Sequence, residues 1–274
     1  MWSVVRRRLD VELVRRGLAP SRSSARQDIA AGRVTVGGAP ADKPSRLVDA
    51  AEPVEVVRPA RFVSRGGEKL QAALDRFGID VAGGAALDAG ASTGGFTDCL
   101  LQSGAASVVA VDVGRAQLHE RLRGDPRVVV RERTDIRTIA PDDLPAPPSV
   151  VVADVSFISL VLVLPTLVAV AAPLADVVVL VKPQFEAGRR EADRGQGVIR
   201  DPTVWRRVLG EVAATASASG LGMMGAMASP IRGPAGNVEF LLHLRAGAGR
   251  TGTGAGDDTA RLLDAAVAEA QEPA

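Results

Sequence analysis

The chain has 274 residues, 46% hydrophobic and 24% charged, the composition of a globular protein. Its formal charge of +1 predicts no polyanion partner for the chain taken whole, and 3% aromatics with no Tyr exclude a binder built on an aromatic stacking sheet. A single Cys excludes an intrachain disulfide and a Cys-based zinc site, so no metal is expected and a reducing cytoplasm is the default compartment.

Charge is unevenly spread. Residues 1–66 carry thirteen Lys or Arg against seven Asp or Glu, a net +6, which leaves −5 on residues 67–274. Such asymmetry points to nucleic acid or another anionic surface, although solvated helix faces carry arginines too. The first residues, Met-Trp-Ser-Val-Val-Arg-Arg-Arg, lack the apolar stretch of a signal peptide. Leu9, Leu13, Val14 and Leu18 recur at helical spacing, and Gly17 is suited to end that helix. Ser21 is placed to cap a second short helix that turns Ala25 and Ile29 inward, with Gly32 closing it. Arg33-Val34-Thr35-Val36 alternates and ends in the turn Gly37-Gly38, and Val54-Glu55-Val56-Val57 reads as another short strand. The module is helix–helix–strand–strand, about 60 residues long and near the lower limit for independent folding.

Arg8-Leu9-Asp10, Leu13-Val14, Gly17-Leu18, Ser21-Arg22-Ser23-Ser24-Ala25, Ile29, Gly32-Arg33-Val34 and Lys43-Pro44-Ser45 together resemble the S4 RNA-binding domain. The resemblance implies paired helices that present Arg and Lys to the backbone of structured RNA, with Arg22, Arg26, Arg33 and Lys43 on that face. Arg6, Arg61 and Arg65 complete the candidate set. Phosphate contacts of this kind position a protein without reading sequence, and they make binding strongly salt-dependent. Arg58-Pro59-Ala60 then breaks regular structure. The expected domains are an S4-like module at 1–58, a linker at 59–66, a second domain at 67–246 and a flexible Gly/Thr-rich tail at 247–274, in which residues 259–272 form a short helix or none.

The second domain opens with a helix at 68–77 and a strand at 85–88 that runs into Ala89-Gly90-Ala91-Ser92-Thr93-Gly94-Gly95. A helix follows with Phe96, Cys99 and Leu100 inward, then a strand at 107–111 that ends at Asp112. Asp112 lies 22 positions after Gly90, near the ~20 expected of a carboxylate that accepts from ribose hydroxyls. A dinucleotide loop would read G-x-G-x-x-G. This loop instead places Asp88 before its first glycine, where a carboxylate repels pyrophosphate and suits an ammonium group. The loop resembles motif I of class I methyltransferases, which implies S-adenosylmethionine as cofactor, bound by Asp88, Gly90, Ser92, Thr93, Gly94, Gly95, Phe96, Asp112 and Asp154. Asp135, after the strand at 127–133, resembles the adenine-contacting position, and a turn Asp fits it nearly as well. Cys99 reads as a small buried hydrophobe rather than a nucleophile.

Strands at 150–153, 177–181, 224–228 and 239–244, with a helix at 205–218, complete a doubly wound sheet. Asp154 and Lys182 end two of these strands. Residues 155–175 carry no charge over 21 positions, long enough for a membrane span, but Pro165 and Pro173 interrupt them. Asp154-Val155-Ser156-Phe157 occupies the place of the exocyclic-amine tetrapeptide and lacks its prolines. Lys69, Asp154, Lys182 and Glu239 resemble the Lys-Asp-Lys-Glu tetrad of FtsJ-like ribose 2′-O-methyltransferases. Ser64-Arg65-Gly66-Gly67-Glu68-Lys69-Leu70, Lys182-Pro183-Gln184-Phe185-Glu186 and Gly233-Pro234-Ala235-Gly236-Asn237-Val238-Glu239 extend the match.

With the S4-like module in front, the chain resembles the TlyA family, the haemolysin-A-type ribosomal RNA 2′-O-methyltransferases. The resemblance implies an α/β class I methyltransferase fold behind a small α+β S4 domain. It also implies methylation of cytidine ribose in RNA of one or both ribosomal subunits, and a link to capreomycin sensitivity. Lys182, desolvated beside Lys69, is expected to have a lowered pKa and to take or stabilise the departing proton; Asp154 orients it and Glu239 holds Lys69. Many relatives carry Ala-Ala or Ala-Gly in place of Gly66-Gly67, a difference expected to change hinge freedom and to leave the tetrad intact. Two other readings are a membrane-active haemolysin that inserts residues 155–175, and a ribosome assembly factor with an inactive methyltransferase domain.

Overall fold

The structure is a computed structural model that describes residues 6–57, 60–247 and 255–272. The chain divides into two compact units, Met1–Ala60 and Arg61–Ala274.

In the first unit β1 (Arg7–Arg8) runs into α1 (Leu9–Arg15), followed by α2 (Arg22–Ala30), β2 (Val34–Val36), β3 (Ala39–Pro40), β4 (Leu47–Val48) and β5 (Val54–Val56). Strand β2 lies between β3 and β5, all antiparallel, and β1 pairs with β4. Leu9, Leu13, Ala25, Ile29, Val34 and Val48 form the core. Ser21 Oγ accepts the Ser24 amide at 3.2 Å and caps α2. Gly37 and Gly38 both have positive φ, the geometry of a two-residue hairpin turn. Leu18, expected on the first helix, lies past its end, because the Leu18 and Ala19 amides turn back onto the Leu13 carbonyl.

The second unit contains α3 (Gly66–Phe77), β6 (Ala85–Ala89), α4 (Gly95–Gln102), β7 (Ser107–Val111), α5 (Glu120–Arg123), β8 (Val128–Arg131), β9 (Val150–Ala153) and α6 (Leu164–Val170). It continues with β10 (Asp176–Val181), α7 (Pro183–Glu186), α8 (Arg189–Arg194), α9 (Pro202–Ala218), β11 (Leu221–Ala228), β12 (Phe240–Ala246) and α10 (Ala255–Gln271). One seven-stranded sheet runs β11-β12-β10-β9-β6-β7-β8. Strands β6 to β10 are parallel, and β12 is antiparallel to both of its neighbours. The apolar runs of β9 and β10 are explained by burial on both faces. Val151 and Ala153, with Val177, Val179 and Val181, face one core; Val150 and Val152, with Val178 and Leu180, face the other.

The proline-interrupted apolar stretch behaves as expected, and two other expectations are corrected. Residues 155–175 do not form a span. They make a loop, a 3-10 turn at Leu160–Leu162 and the seven-residue α6, and Val155, Leu160, Val163, Leu164, Leu167 and Val170 pack into the core on one face of the sheet. Among the described residues no helix is long and apolar enough to cross a membrane. The expected linker is, from Arg61 on, part of the second unit: Phe62 is buried against Leu70, the Val63 amide donates to Asp98 Oδ2 at 2.9 Å, and the Arg61 carbonyl accepts from Gln102 at 3.0 Å. Arg58 and Pro59 lie outside the described residues. The tail expected to be flexible forms α10, which packs on β11 and α9 through Leu263, Ala266 and Val267, and Glu269 accepts the Ala228 amide at 3.1 Å. Alanine and leucine at helical spacing carried that signal, masked by the glycines before them; residues 248–254 lie outside the described residues.

The Gly66-Gly67 pair also differs from expectation. A Cβ on Gly67 would sit 2.2 Å from the Phe62 ring, whereas one on Gly66 would meet nothing nearer than 3.4 Å. Close packing, not hinge freedom, sets the requirement at Gly67. Gly67→Ala should therefore destabilise the protein by about 1–3 kcal/mol through a displaced Phe62, and Gly66→Ala should be neutral or stabilising. Chemical denaturation of the two variants checks this; equal stability of both would refute it.

Candidate active site

Strand register builds the site. Ala89 of β6 lies opposite Ala153 of β9, so Gly90 and Asp154 leave the sheet side by side. Here the chain order of the strands reverses, which opens a crevice at the carboxyl ends. Gly90 has φ +86°, and a Cβ on it would lie 2.6 Å from the Asp154 carbonyl oxygen, so only glycine lets the loop pass. On the next strand pair Val181 of β10 lies opposite Phe240 of β12, which brings Lys182 and Glu239 to the same rim.

The four residues of the expected tetrad meet as two ion pairs. Lys69 Nζ, from the first turn of α3, donates to Glu239 Oε2 at 2.5 Å. Lys182 Nζ lies 2.5 Å from Asp154 Oδ1 and donates to Ser156 Oγ at 2.8 Å. Lys69, Lys182 and Glu239 are buried, while the Asp154 side chain keeps 22% of its surface. All four line one cavity of about 420 Å³, with Arg65, Ser92, Phe157 and Gln184. A second cavity, about 670 Å³, is lined by Asp112, Val113, Gln117, Asp135 and Arg137. Both include Gly90, Ser92, Asp154, Ser156 and Phe157, so they are lobes of one cleft.

The expected cofactor residues divide between these lobes. Thr93, Gly95 and Phe96 line the lysine-bearing lobe alone, Asp112 and Asp135 the other alone, and Gly90, Ser92 and Asp154 line both. Asp112 accepts the Ser92 amide at 2.8 Å and the Gly114 amide at 2.6 Å, which fixes its carboxylate at the strand end. Asp135 is at once a cavity wall and a turn residue, since it accepts the Arg137 amide at 3.0 Å. Gly94 lines neither lobe: a Cβ there would strike Leu122 at 2.3 Å, so it serves close packing.

Asp88 is a correction. It has no exposed surface, lines neither lobe and accepts Thr97 Oγ1 at 2.6 Å, so it does not reach a ligand ammonium directly. Burial pushes its carboxyl up to about 7, against the Thr97 hydrogen bond, and Asp154 adds repulsion. Burial likewise pushes the Cys99 thiol up to about 12, as fits a packing residue. Among the described residues no group of three or more His, Cys, Asp or Glu could hold a metal ion.

The candidate RNA residues are less uniform than the sequence suggests. Arg6 and Lys43 are exposed. Arg22 and Arg26 are ion-paired to Asp10, and Arg33 to Asp28. Arg61 stacks on Phe62 and donates to Gln71, and Arg65 lies on the wall of the lysine lobe. Sequence reasoning missed Ser156 and Phe157 as site residues, although both stand in the quoted motif. Phe157 is 91% exposed, has φ +63° and packs its ring 5.0 Å from that of Phe185. It also missed Glu186, which accepts Ser159 Oγ at 2.5 Å and the Leu160 amide at 2.9 Å and so ties the segment after β10 to the segment after β9.

A doubly wound sheet with an antiparallel strand inserted beside β10, and a glycine loop facing a ribose-type carboxylate, define a class I methyltransferase fold. An FtsJ-like methyltransferase model matches residues 62–246, and an S4 domain model matches residues 7–54. The 16S/23S rRNA (cytidine-2′-O)-methyltransferase TlyA of Mycobacterium tuberculosis is 52% identical over 242 residues, 88% of this chain and 90% of that one. A solved structure from Streptococcus thermophilus, of a protein described as a hemolysin, is 39% identical with a TM-score of 0.71 and covers 97% of this chain and 98% of its own. An S-adenosylmethionine-dependent methyltransferase of Listeria monocytogenes shares the fold at 16% identity and a TM-score of 0.51, over 66% of this chain and 97% of its own. The chain belongs to the TlyA family of FtsJ-like methyltransferases with an S4 domain.

Because Asp88 has a higher pKa folded than the ~4 of an unfolded chain, the native state binds its proton more tightly. Stability should therefore fall as pH rises from about 4 to 7. Asp88→Asn removes that dependence, so the melting temperature of the variant minus that of wild type should increase between about pH 5 and pH 8. Thermal denaturation without cofactor measures the difference; a value independent of pH would refute the assignment.

Proposed function

We propose that the second unit transfers a methyl group from S-adenosylmethionine to the 2′-hydroxyl of a cytidine in ribosomal RNA, and that the first unit binds that RNA. The observation that carries the reading is the pairing of Lys69 with Glu239 and of Lys182 with Asp154 on the wall of one lobe, adjoining a lobe with Asp112 at its strand end. Both the FtsJ-like match and the cytidine-2′-O activity named for the 52% identical relative support it.

The second lobe fits the cofactor on its own chemistry. Asp112 is placed to accept from ribose hydroxyls. The glycine loop passes close to Asp154, where any side chain would fill the space. Three carboxylates, Asp112, Asp135 and Asp154, against the single cation Arg137, which is paired to Asp135, suit a cation and repel a phosphate chain. When bound, the cofactor supplies a methyl group already activated by its sulfonium.

The remaining work is alignment and one proton. Lys69 and Lys182 set a positive field in the lysine lobe, which favours charge developing on the attacking 2′-oxygen. Lys182 faces that oxygen, held by Asp154 and Ser156; it passes one of its own protons to the Asp154 carboxylate as it takes the hydroxyl proton, and the exposed side of Asp154 releases that proton to solvent. Glu239 holds Lys69 and keeps it from the transferring group. Phe157 and Phe185 offer an apolar wall against which the base of the target nucleotide packs. Ribosomal subunits in the cytoplasm are the expected setting. The membrane reading is not carried forward, since residues 155–175 are committed to the core that carries Asp154.

Lys182→Ala should lower methyl transfer by at least about a thousandfold while cofactor affinity changes less than about threefold. Labelled S-adenosylmethionine with purified subunits, followed by mapping of 2′-O-methyl nucleotides, reads the first; calorimetry with the cofactor reads the second. Wild-type rates in the variant would overturn the assignment.

A further inference from the structure

Asp10, the second residue of α1, has no exposed surface, yet three arginines from two elements converge on it. Arg8 of β1 donates through Nε to Oδ1 at 3.1 Å and through Nη2 to Oδ2 at 3.3 Å. Arg22, the first residue of α2, donates through Nη2 to Oδ2 at 3.0 Å, and Arg26, one turn on, through Nε to Oδ2 at 3.2 Å. The carboxylate lies inside while the three arginine side chains remain 44%, 53% and 55% exposed. Burial raises the Asp10 pKa, but the arginine hydrogen bonds outweigh it and hold the carboxyl far below the usual range. The group is therefore ionised at any working pH, and the cluster carries a net +2.

The neighbouring clamps of the unit are built differently. Glu12 is also buried and holds Arg15 and Arg16. Arg16, however, goes on to donate to the carbonyls of Asp49, Ala50 and Glu52, so its head is engaged within the unit. Arg33 is two-thirds covered and paired to Asp28. Among the described residues the Asp10 cluster is the one that turns three guanidinium groups outward from a single buried anchor.

We propose that Asp10 is a positioning residue for RNA binding, which fixes Arg8, Arg22 and Arg26 as one rigid platform for the phosphates of folded RNA. The proposal rests on the reading of the first unit as the RNA-binding module. A guanidinium has five N–H donors; Arg8 uses two on Asp10, and Arg22 and Arg26 use one each. Most of the donors are thus left for phosphate oxygens. A free arginine gives up rotamer freedom when it docks, whereas a clamped one has already given it up on folding. Asp10 supplies no contact to RNA. Its negative charge by itself opposes RNA, so it improves binding only through geometry.

That opposition gives the test its sign. Asp10→Asn removes one negative charge from beneath the binding face, so charge alone predicts tighter binding. The platform predicts about tenfold weaker binding and a shallower dependence of affinity on salt between about 50 and 200 mM, because fewer phosphates are neutralised. The measurement uses the full chain with transcribed 16S and 23S ribosomal RNA, with thermal melting and cofactor binding as controls of folding. A mutant cycle supplies a readout that mere destabilisation would not move: in an Arg8→Ala, Arg22→Ala, Arg26→Ala background the Asp10→Asn effect should vanish. Unchanged or tighter binding by folded Asp10→Asn, or an effect that persists in that background, overturns the proposal. Where Asp10→Asn fails to fold, the triple variant Arg8→Lys, Arg22→Lys, Arg26→Lys makes the same test. It keeps the charge but loses the planar forks, and equal affinity overturns the platform. A wild-type chain that binds no ribosomal RNA at any salt would instead overturn the reading of the first unit.

Discussion

Two lysine residues, each less than a tenth exposed, share one cleft, and the rest of the second unit is arranged so that they can do so. Ammonium groups taken out of water are costly, and two together repel. Each persists here because a carboxylate is delivered to within 2.5 Å. Removing one partner of such a pair costs about 3–5 kcal/mol, because the survivor is left buried and unmatched. The partners are distant in sequence: Lys69 opens α3 and Glu239 precedes β12, 170 positions on. The Lys69–Glu239 pair therefore exists only once β12 is zipped onto β10 and α3 is docked, while Lys182–Asp154 needs only β9 beside β10. The geometry of the site is not a property of any one segment.

Strand register is what makes this delivery dependable. In a sheet a slip of one residue would turn each strand-end side chain to the opposite face. Asp154 and Lys182 end adjacent parallel strands whose cores are buried on both sides, so the valines on either face hold the register that places the charges. Beyond the sheet the two emerging segments stay zipped together. Lys182 meets Asp154 and Ser156, Phe185 meets Phe157, and Glu186 meets Ser159 and Leu160. Burial raises the Glu186 pKa, against its two hydrogen bonds, a sign that this last contact is drawn well into the protein. A bulky residue at positive φ is strained and persists where its neighbours leave no alternative. Phe157 is such a residue, and the contacts on both sides of it account for an aromatic ring standing open between the two lobes.

Much of this was legible in the sequence, for a definite reason. Strand ends and their charges are local signals: a valine run, then Asp154 or Lys182, can be read without knowing what packs against it. The same holds for Ser21, whose cap depends on three residues, and for Asp112, whose distance from Gly90 is set by one helix. What could not be read depends on distant partners. Gly67 and a hinge glycine look identical until Phe62 is seen to fill the space where a Cβ would go. Asp88 carried the right residue type for a cofactor contact, but its burial behind the loop is decided by three strands. For residues 259–272 a short helix or none stayed open because glycine composition and an amphipathic pattern adjoin there, and only β11 decides between them.

The low aromatic content and near-neutral charge take on a different meaning in this light. The chain has no stacking sheet, but it places one exposed phenylalanine at the mouth of its cleft. Its net charge is small because nearly every clustered arginine is accompanied by an acid, in both units. Those acids weaken the long-range field, so the chain gives up some steering toward RNA. What they give in return is fixed direction. In the second unit Glu239 and the partly exposed Asp154 hold two lysines in the cleft, and in the first the buried Asp10 holds three partly exposed arginines. A protein that must find one ribose within a large folded RNA gains more from cations held in place than from a larger number of mobile ones. On the proposed reading the acids that hold Lys69, Lys182 and the Asp10 arginines belong to the recognition machinery, and counting charges alone would score them as a loss.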